Sequence, residues 1–239
     1  MRPVHTTVCW LLSIFWPLAA QNIPIGTWRT HAAYRSAQTL AVAGTQVYAA
    51  APGSLFVHDT QAQQATPLSR LDGFTATDVS RLAYAPETQT LAVAYESGII
   101  DLLQGRNLFT ITAIAEANLE PDDKRNRHIL VAGQTAYLAY GFGVAVIDLA
   151  ARRIRATYRN LGPGGTPLAV NGTALLDDRI FLATERGVLF APRTGTNLLD
   201  FAAWRTVPPA DGVPGGAATH IAAFGGTVYA AFGTNGLYR

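Results

Sequence analysis

One apolar pattern returns five times along the chain, and each copy carries an alanine at the same place. The intervals between these alanines are 44, 45, 44 and 48 residues, and the alanines are Ala50, Ala94, Ala139, Ala183 and Ala231. A repeat of about 40 to 50 residues is typical of a β-propeller blade, which cannot bury its own faces and stacks on its neighbours. A β-sandwich is the alternative fold, but it does not explain an alanine that returns at this interval.

Each alanine lies in a predicted β-hairpin, because apolar residues alternate on either side of a short turn. We expect turns of three to four residues that contain Gly98, Gly143, Gly187 or Gly236. A small residue at a fixed place also predicts close approach of a neighbouring sheet. The hairpin segments are TQVYAAAPGSLFVHD (45–59), QTLAVAYESGIIDLL (89–103), QTAYLAYGFGVAVID (134–148), DRIFLATERGVLFAP (178–192) and GTVYAAFGTNGLYR (226–239).

Each repeat also predicts two further strands. An apolar run precedes every hairpin, and a more polar stretch such as LFTITAI (108–114) or RRIRATY (152–158) separates one repeat from the next. The preceding runs are TLAVA (39–43), VSRLAY (79–84), HILVA (128–132), GTALL (172–176) and HIAAF (220–224). The sequence therefore predicts an all-β fold, a β-propeller of four-stranded antiparallel blades over residues 21–239. About four and a half blades are present in an incomplete ring, so we expect the N-terminal part of a longer chain.

Residues 1–20 have the pattern of a signal peptide. Arg2 gives a positive start, VCWLLSIF (8–15) gives an apolar run too short to span a membrane, and small residues precede Gln21. We expect an exported protein that begins at Gln21, in the periplasm or at the outer-membrane surface of a Gram-negative bacterium. The only cysteine, Cys9, lies inside this segment, which excludes disulfides and cysteine chemistry from the mature chain.

Composition excludes nucleic acid as an expected partner. The formal net charge is +2, and Lys124 is the only lysine, so no clustered basic face is indicated.

The sequence predicts no catalytic, cofactor-binding or metal-binding residue and leaves ligand-binding residues unassigned. The histidines, His31, His58, His128 and His220 after the signal segment, lack the spacing of a metal pair. His128 and His220 share one place in the repeat, so we expect both to be satisfied structural residues. Asp59, Asp101 and Asp148 are expected to cap turns at the end of the second hairpin strand.

Four further segments could carry a binding site, and for each we expect a structural role instead. EPDDKRNR (120–127) lacks the spacing and glycine of a calcium loop, so we expect a solvated loop between blades. LGPGGTP (161–167) and DGVPGGA (211–217) lack the lysine of a phosphate loop and are expected to connect blades. In IGTWRTHAAY (25–34), we expect Trp28 to be buried in a closing strand rather than exposed with His31 and Tyr34 as a binding surface.

Several of these segments resemble the PorZ-like propeller proteins of the type IX secretion system. The similarity covers QNIPIGTWRTHAAYRSAQTLAVAGTQVYAA (21–50), RLDGFTATDVSRLAYAPETQTLAVAYESGIIDLL (70–103), YLAYGFGVAVIDL (137–149) and RRIRATY (152–158). The resemblance implies a surface component that works with a sortase and outer-membrane barrel proteins and helps attach cargo to anionic lipopolysaccharide. The resemblance extends over the first propeller of that family, so we do not expect its second propeller or its C-terminal sorting domain within residues 1–239.

Three functions are compatible with the sequence. The first is a non-catalytic interaction module of this secretion and attachment machinery, and the second is the extracellular sensor propeller of a two-component regulator. The third is a polysaccharide-acting propeller enzyme, but Glu87, Glu96, Glu116, Glu120 and Glu185 do not recur at one blade position in the alignment of the repeats, which argues against a carboxylate ring.

Overall fold

A computed structural model describes residues 36–208 and 212–239. The predicted signal peptide, the segment 25–34 and Asp211 lie outside the described residues. None of the helices within the described ranges is long and apolar enough to cross a bilayer.

The described chain folds into five antiparallel sheets, four of four strands and one of three. The strands of blade 1 are β1 (Thr39–Ala43), β2 (Gln46–Ala51), β3 (Ser54–Asp59) and β4 (Gln64–Leu68), and those of blade 2 are β5 (Val79–Ala85), β6 (Thr90–Tyr95), β7 (Ile100–Gln104) and β8 (Asn107–Ile111). Blade 3 comprises β9 (His128–Ala132), β10 (Thr135–Tyr140), β11 (Gly143–Asp148) and β12 (Arg153–Arg159). Blade 4 comprises β13 (Val170–Leu176), β14 (Arg179–Thr184), β15 (Gly187–Pro192) and β16 (Arg205–Thr206), and blade 5 comprises β17 (His220–Phe224), β18 (Thr227–Ala231) and β19 (Leu237–Tyr238).

This arrangement confirms the predicted all-β propeller with an incomplete ring. Within each blade the strands pair in chain order, and the first strands of successive blades contact one another, β1 with β5, β5 with β9, β9 with β13 and β13 with β17. These five inner strands coincide with the five predicted apolar runs, although β5 and β13 extend slightly beyond them. The described sheets do not close into a ring.

The recurring alanine lies on the second strand of every blade, and in blades 1 to 4 its small side chain faces packed neighbours. Ala94, Ala139 and Ala183 are fully buried, and Ala50 nearly so. Apolar clusters fill the spaces between successive blades, and the largest joins Ile100 and Leu102 of blade 2 to Leu138 and Ile147 of blade 3. The close approach predicted from the alanine is therefore confirmed for these four blades.

The hairpin turns are tighter than predicted in three of the blades. Two residues separate β2 from β3, β10 from β11 and β14 from β15, so Gly143 and Gly187 begin strands rather than lie within turns. Gly143 has φ 134°, and a Cβ added there would lie 2.0 Å from the carbonyl oxygen of Tyr158 on β12. Glycine is required at this strand start because both the backbone conformation and the neighbouring strand exclude a side chain.

The fourth strand of blade 2 is shorter than LFTITAI (108–114) suggests. β8 ends at Ile111, and Ala113–Glu116 form a single helical turn, α1, whose Ile114 is buried against the core between blades 2 and 3. Packing of Ile114 therefore outweighs the apolar alternation that favoured a longer strand.

The aspartates predicted to cap turns divide into two kinds. Asp59 accepts hydrogen bonds from the amides of Gln61 and Ala62, at 2.8 and 2.9 Å, and Asp148 accepts one from Ala151 at 2.8 Å, as predicted. The prediction is wrong for Asp101, which is the second residue of β7 and is fully buried.

Asp101 instead organises a polar network inside blade 2. Its carboxylate accepts hydrogen bonds from the Thr75 amide and hydroxyl, both at 2.8 Å, from the Tyr95 hydroxyl at 2.7 Å and from the Thr110 hydroxyl at 2.6 Å. The longer β6–β7 turn, residues 96–99, shifts the register so that Asp101 lies three residues before the position equivalent to Asp148. Burial and this carboxylate raise the pKa of Tyr95 far above its ordinary value, which keeps the phenol protonated as a donor.

Candidate functional site at the inner strands

The residues that pair with the recurring alanines lie at equivalent positions on the five inner strands. These residues are Thr39, Arg81, His128, Gly172 and His220. Because the inner strands contact one another in order and share this register, the five positions converge at one end of the array.

All five positions line a cavity of about 630 Å³, which we call the inner cavity. Gln38, Asn171, Thr219 and Ile221 lie beside them, and Asp123, Arg125 and Arg127 enter from the segment before β9. The volume lies within the range of about 300 to 1,000 Å³ that small-molecule sites usually occupy.

Side chains of the inner cavity hydrogen-bond from each blade to the next. The Thr39 hydroxyl accepts from the Leu82 amide at 3.1 Å, which joins blade 1 to blade 2. Arg81 Nε donates to the Arg127 carbonyl at 2.8 Å, and Arg127 Nη1 donates to Asn171 Oδ1 at the same distance. Asn171 Nδ2 then donates to the Ala218 carbonyl at 2.8 Å. The polar lining therefore ties five consecutive blades together at this end.

The charged segment 120–127 is more than the solvated loop that the sequence predicts. Lys124 Nζ donates to the Ala115 carbonyl at 2.8 Å, and the buried Asn126 donates to the Ala139 carbonyl at 3.1 Å. These bonds fix the segment against blades 2 and 3, so that Asp123 and the two arginines line the inner cavity. The prediction is correct only for the outer part of the segment, where Glu120 and Asp122 are exposed.

Ion pairs neutralise two of the three arginines of the cavity. Arg127 Nη2 lies 2.7 Å from Asp123 Oδ2, and Arg125 Nε lies 3.2 Å from Glu96 Oε1. In the described residues Arg81 has no such carboxylate. The inner cavity therefore carries one arginine charge in excess of its ion pairs.

The two equivalent histidines differ in their surroundings. His128 is half-buried, and its Nδ1 accepts a hydrogen bond from the Thr173 amide at 3.3 Å, as expected for a satisfied ring. Burial, followed by the charges of Arg81 and His220, lowers the pKa of His128 to about 4. His220 is exposed, and its Nδ1 lies 3.2 Å from the hydroxyl of the adjacent Thr219. The His220 ring is therefore not held between two blades in the way that the His128 ring is.

Two of the glutamates that were predicted not to recur at one blade position do occupy equivalent positions in their blades. Glu96 and Glu185 each follow the recurring alanine by two residues, in the turns after β6 and β14, so the prediction is wrong for this pair. Both are exposed, and Glu96 pairs with Arg125.

The glycine-rich segments connect blades, as predicted. Pro163–Gly165 form a 3₁₀ turn between β12 and β13, and the described part of DGVPGGA (211–217) leads from β16 to β17. Gly162 and Pro163 line a second cavity of about 390 Å³ beside the buried Trp204. Among the described residues, no group of three or more histidine, cysteine, aspartate and glutamate side chains could hold a metal ion.

Sequence reasoning did not find the inner cavity, although the signal was present. Arg81, His128 and His220 all pair with a recurring alanine, and alignment on the inner strands brings them into one column. Asn171 and Arg127 occupy the preceding column. The sequence places His128 and His220 at one position, but the equivalence of Arg81 depends on the register shift between Val79 and Arg81 in β5.

Residues 47–205 match the protein family described as "TSS9, PorZ, N-terminal beta-propeller domain". The chain belongs to this PorZ propeller family. PorZ of Porphyromonas gingivalis, described as an essential bacterial surface component of the type-IX secretion system, is similar in structure, with 30% identity and a TM-score of 0.69. The match covers 83% of this chain and 27% of that PorZ chain, so the chain spans about a quarter of its relative's length.

Sensor ectodomains share the fold at lower identity. The extracellular domain of a putative one-component system from B. thetaiotaomicron has a TM-score of 0.63 at 12% identity, covering 90% of this chain and 28% of that one. The extracellular domain of a putative hybrid two-component system from the same organism has a TM-score of 0.61 at 14% identity, covering 83% and 27%. No curated protein sequence matches the chain significantly.

Proposed function

We propose that this PorZ-family propeller is a non-catalytic interaction module of the type IX secretion and cell-surface attachment machinery. The observation that carries the proposal is the family match over residues 47–205. The resemblance to PorZ-like proteins implies a sortase and outer-membrane barrel proteins as partners, together with anionic lipopolysaccharide.

Export through the segment 1–20 is part of the same proposal. Its charge pattern and short apolar run are those of a signal peptide, and cleavage before Gln21 would release the propeller into the periplasm or to the outer-membrane surface. N-terminal sequencing of the exported protein is expected to begin at Gln21.

Affinity purification from the native host tests the interaction role. A C-terminally tagged chain is expected to recover the sortase and an outer-membrane barrel protein, whereas the same tagged chain without residues 1–20 stays in the cytoplasm and recovers neither. Recovery of neither protein by the exported chain would contradict the proposal.

The sensor function receives no separate support from the comparisons. At 12% and 14% identity, the sensor ectodomains share the fold, and fold alone does not determine function.

A further inference from the structure

Arg81 is held in place by neutral groups. Its Nε donates to the Arg127 carbonyl at 2.8 Å, and its Nη1 donates to the Ser80 carbonyl at 2.7 Å. Both acceptors are backbone oxygens without a formal charge. Within the described residues, ion pairs use Arg125 and Arg127 but not Arg81, so its positive charge is positioned but not neutralised.

The surroundings of Arg81 make an uncompensated charge unfavourable. The side chain is half-buried, and burial lowers its pKa, with a further decrease from the nearby Arg125 that Glu96 partly offsets. A buried charge is costly unless an opposite charge accompanies it. An anion in the inner cavity would supply that charge.

We propose that the inner cavity binds one compact oxyanion, the carboxylate or phosphate group of a small ligand, and that Arg81 is its principal cationic contact. Counted over residues 36–208 and 212–239, the excess of a single arginine charge over the ion pairs of the cavity matches one anionic group. The cavity volume of about 630 Å³ accommodates a ligand of the size of a sugar acid or a sugar phosphate. The exposed ring of His220 and the side chain of Gln38 lie at the same cavity as further polar contacts.

This inference does not depend on the secretion role. The charge excess and the cavity belong to the inner strands and to the segment before β9, and they are present whether or not the chain binds those protein partners. Failure to purify the partners would not count against the oxyanion site, and failure of the anion titration would not count against the secretion role.

A titration of the purified full chain tests the proposal. The ligands are sodium phosphate, sodium glucuronate and, as a neutral comparison, glucose, each at constant ionic strength and followed by NMR shifts or calorimetry. We expect saturable binding of at least one anion and no binding of glucose. Binding of phosphate alone would assign a phosphate ligand, and binding of glucuronate alone would assign a carboxylate ligand.

Charge-matched variants locate the site. Arg81→Gln is expected to weaken anion binding by about ten-fold or more, since hydrogen bonds to charged groups contribute about 1.5 to 3 kcal/mol. Arg106→Gln removes the same charge from an exposed turn between β7 and β8 and is expected to change the affinity by less than about two-fold.

A second variant, in which anion binding is expected to become tighter, tests the site even if Arg81→Gln disturbs folding. Asp123→Asn removes a carboxylate that lines the cavity and is expected to tighten anion binding by about three-fold or more. The proposal is overturned if neither anion binds saturably, if Arg81→Gln and Arg106→Gln weaken binding equally, or if Asp123→Asn leaves the affinity unchanged.

Discussion

Blade 2 and blade 5 contain similar central strands with very different burial. Every residue of β6, TLAVAY, is buried, whereas in β18, TVYAA, only Ala230 is buried. Blade 2 packs between blades 1 and 3, while blade 5 packs on blade 4 through the face that carries Ile221 and Ala230. Burial in this fold is therefore set by the neighbouring sheet more than by the strand's own sequence.

The outward faces of the end blades show the consequence. On blade 5, Phe224 is 79% exposed and Leu237 is 68% exposed, and on blade 1, Leu40 and Val42 are 58% and 63% exposed. On β1 the two exposed residues alternate with the buried Thr39 and Ala41, as expected for a sheet packed on one side, whereas on β17 only Ile221 is buried. Equivalent substitutions inside and at the ends of the array should therefore differ in their effect on stability.

Removal of the Asp101 carboxylate is expected to have the largest effect. Asp101→Ala leaves the four donors from Thr75, Tyr95 and Thr110 without their acceptor inside blade 2, and we expect a loss of about 3 to 5 kcal/mol in the free energy of unfolding. Urea denaturation measures the loss. Asp59→Ala in blade 1 is the matched control, because Asp59 accepts two backbone hydrogen bonds in an exposed turn and its loss should be much smaller. Equal losses for the two variants would show that the buried network contributes nothing beyond a turn cap.

A pair of leucine truncations tests the comparison of blades directly. Leu138 on β10 is fully buried between blades, and Leu138→Ala is expected to lower the free energy of unfolding by about 2 to 5 kcal/mol. Leu40→Ala on β1 removes an exposed side chain and should cost less than about 0.5 kcal/mol. Urea or thermal unfolding of both variants measures the two losses in the free energy of unfolding. A loss at Leu40 as large as that at Leu138 would mean that the outward face of blade 1 is covered in solution.

The repeat made most of the fold predictable from sequence. The inner strands β1, β9 and β17 coincide with the predicted apolar runs at both ends, because each is a short apolar segment bounded by polar or turn residues. Alanine spacing then gave the number of sheets, since one small residue per repeat has to face a neighbouring sheet. The overall architecture followed from these two signals alone.

Register within a repeat was less predictable than the strands themselves. The β6–β7 turn is two residues longer than its counterparts after β2, β10 and β14, so counting from the end of the hairpin misplaced Asp101. Such a shift changes which residues are equivalent without altering the apolar pattern. The inner cavity was missed for a related reason, because Arg81 becomes equivalent to His128 and His220 only when the pairing of β5 with β6 is known.

The smallest predicted effect concerns the two equivalent histidines, of which only His128 is covered by the next blade. Its folded-state pKa is about 4, below the ordinary 6.5, because burial and then the charges of Arg81 and His220 disfavour the imidazolium. Asp123, Arg127 and Thr173 also border this ring or its cavity. The unfolded chain therefore takes up this proton at a higher pH than the folded chain does.

The neutral His128 ring makes its full contribution to the free energy of unfolding above pH 6.5, and this contribution falls as the pH decreases toward 4. We expect the wild-type chain to lose about 1 to 3 kcal/mol more than His128→Gln over this interval, as measured by urea denaturation at several pH values. From about pH 7 to pH 8 the His128 ring is neutral in both the folded and the unfolded wild-type chain. The free energies of unfolding of wild type and His128→Gln should therefore differ there by a constant amount, which is the packing cost of the substitution. Parallel loss of stability in both proteins down to pH 4 would contradict a buried neutral imidazole, and would remove the distinction drawn between His128 inside the array and His220 at its end.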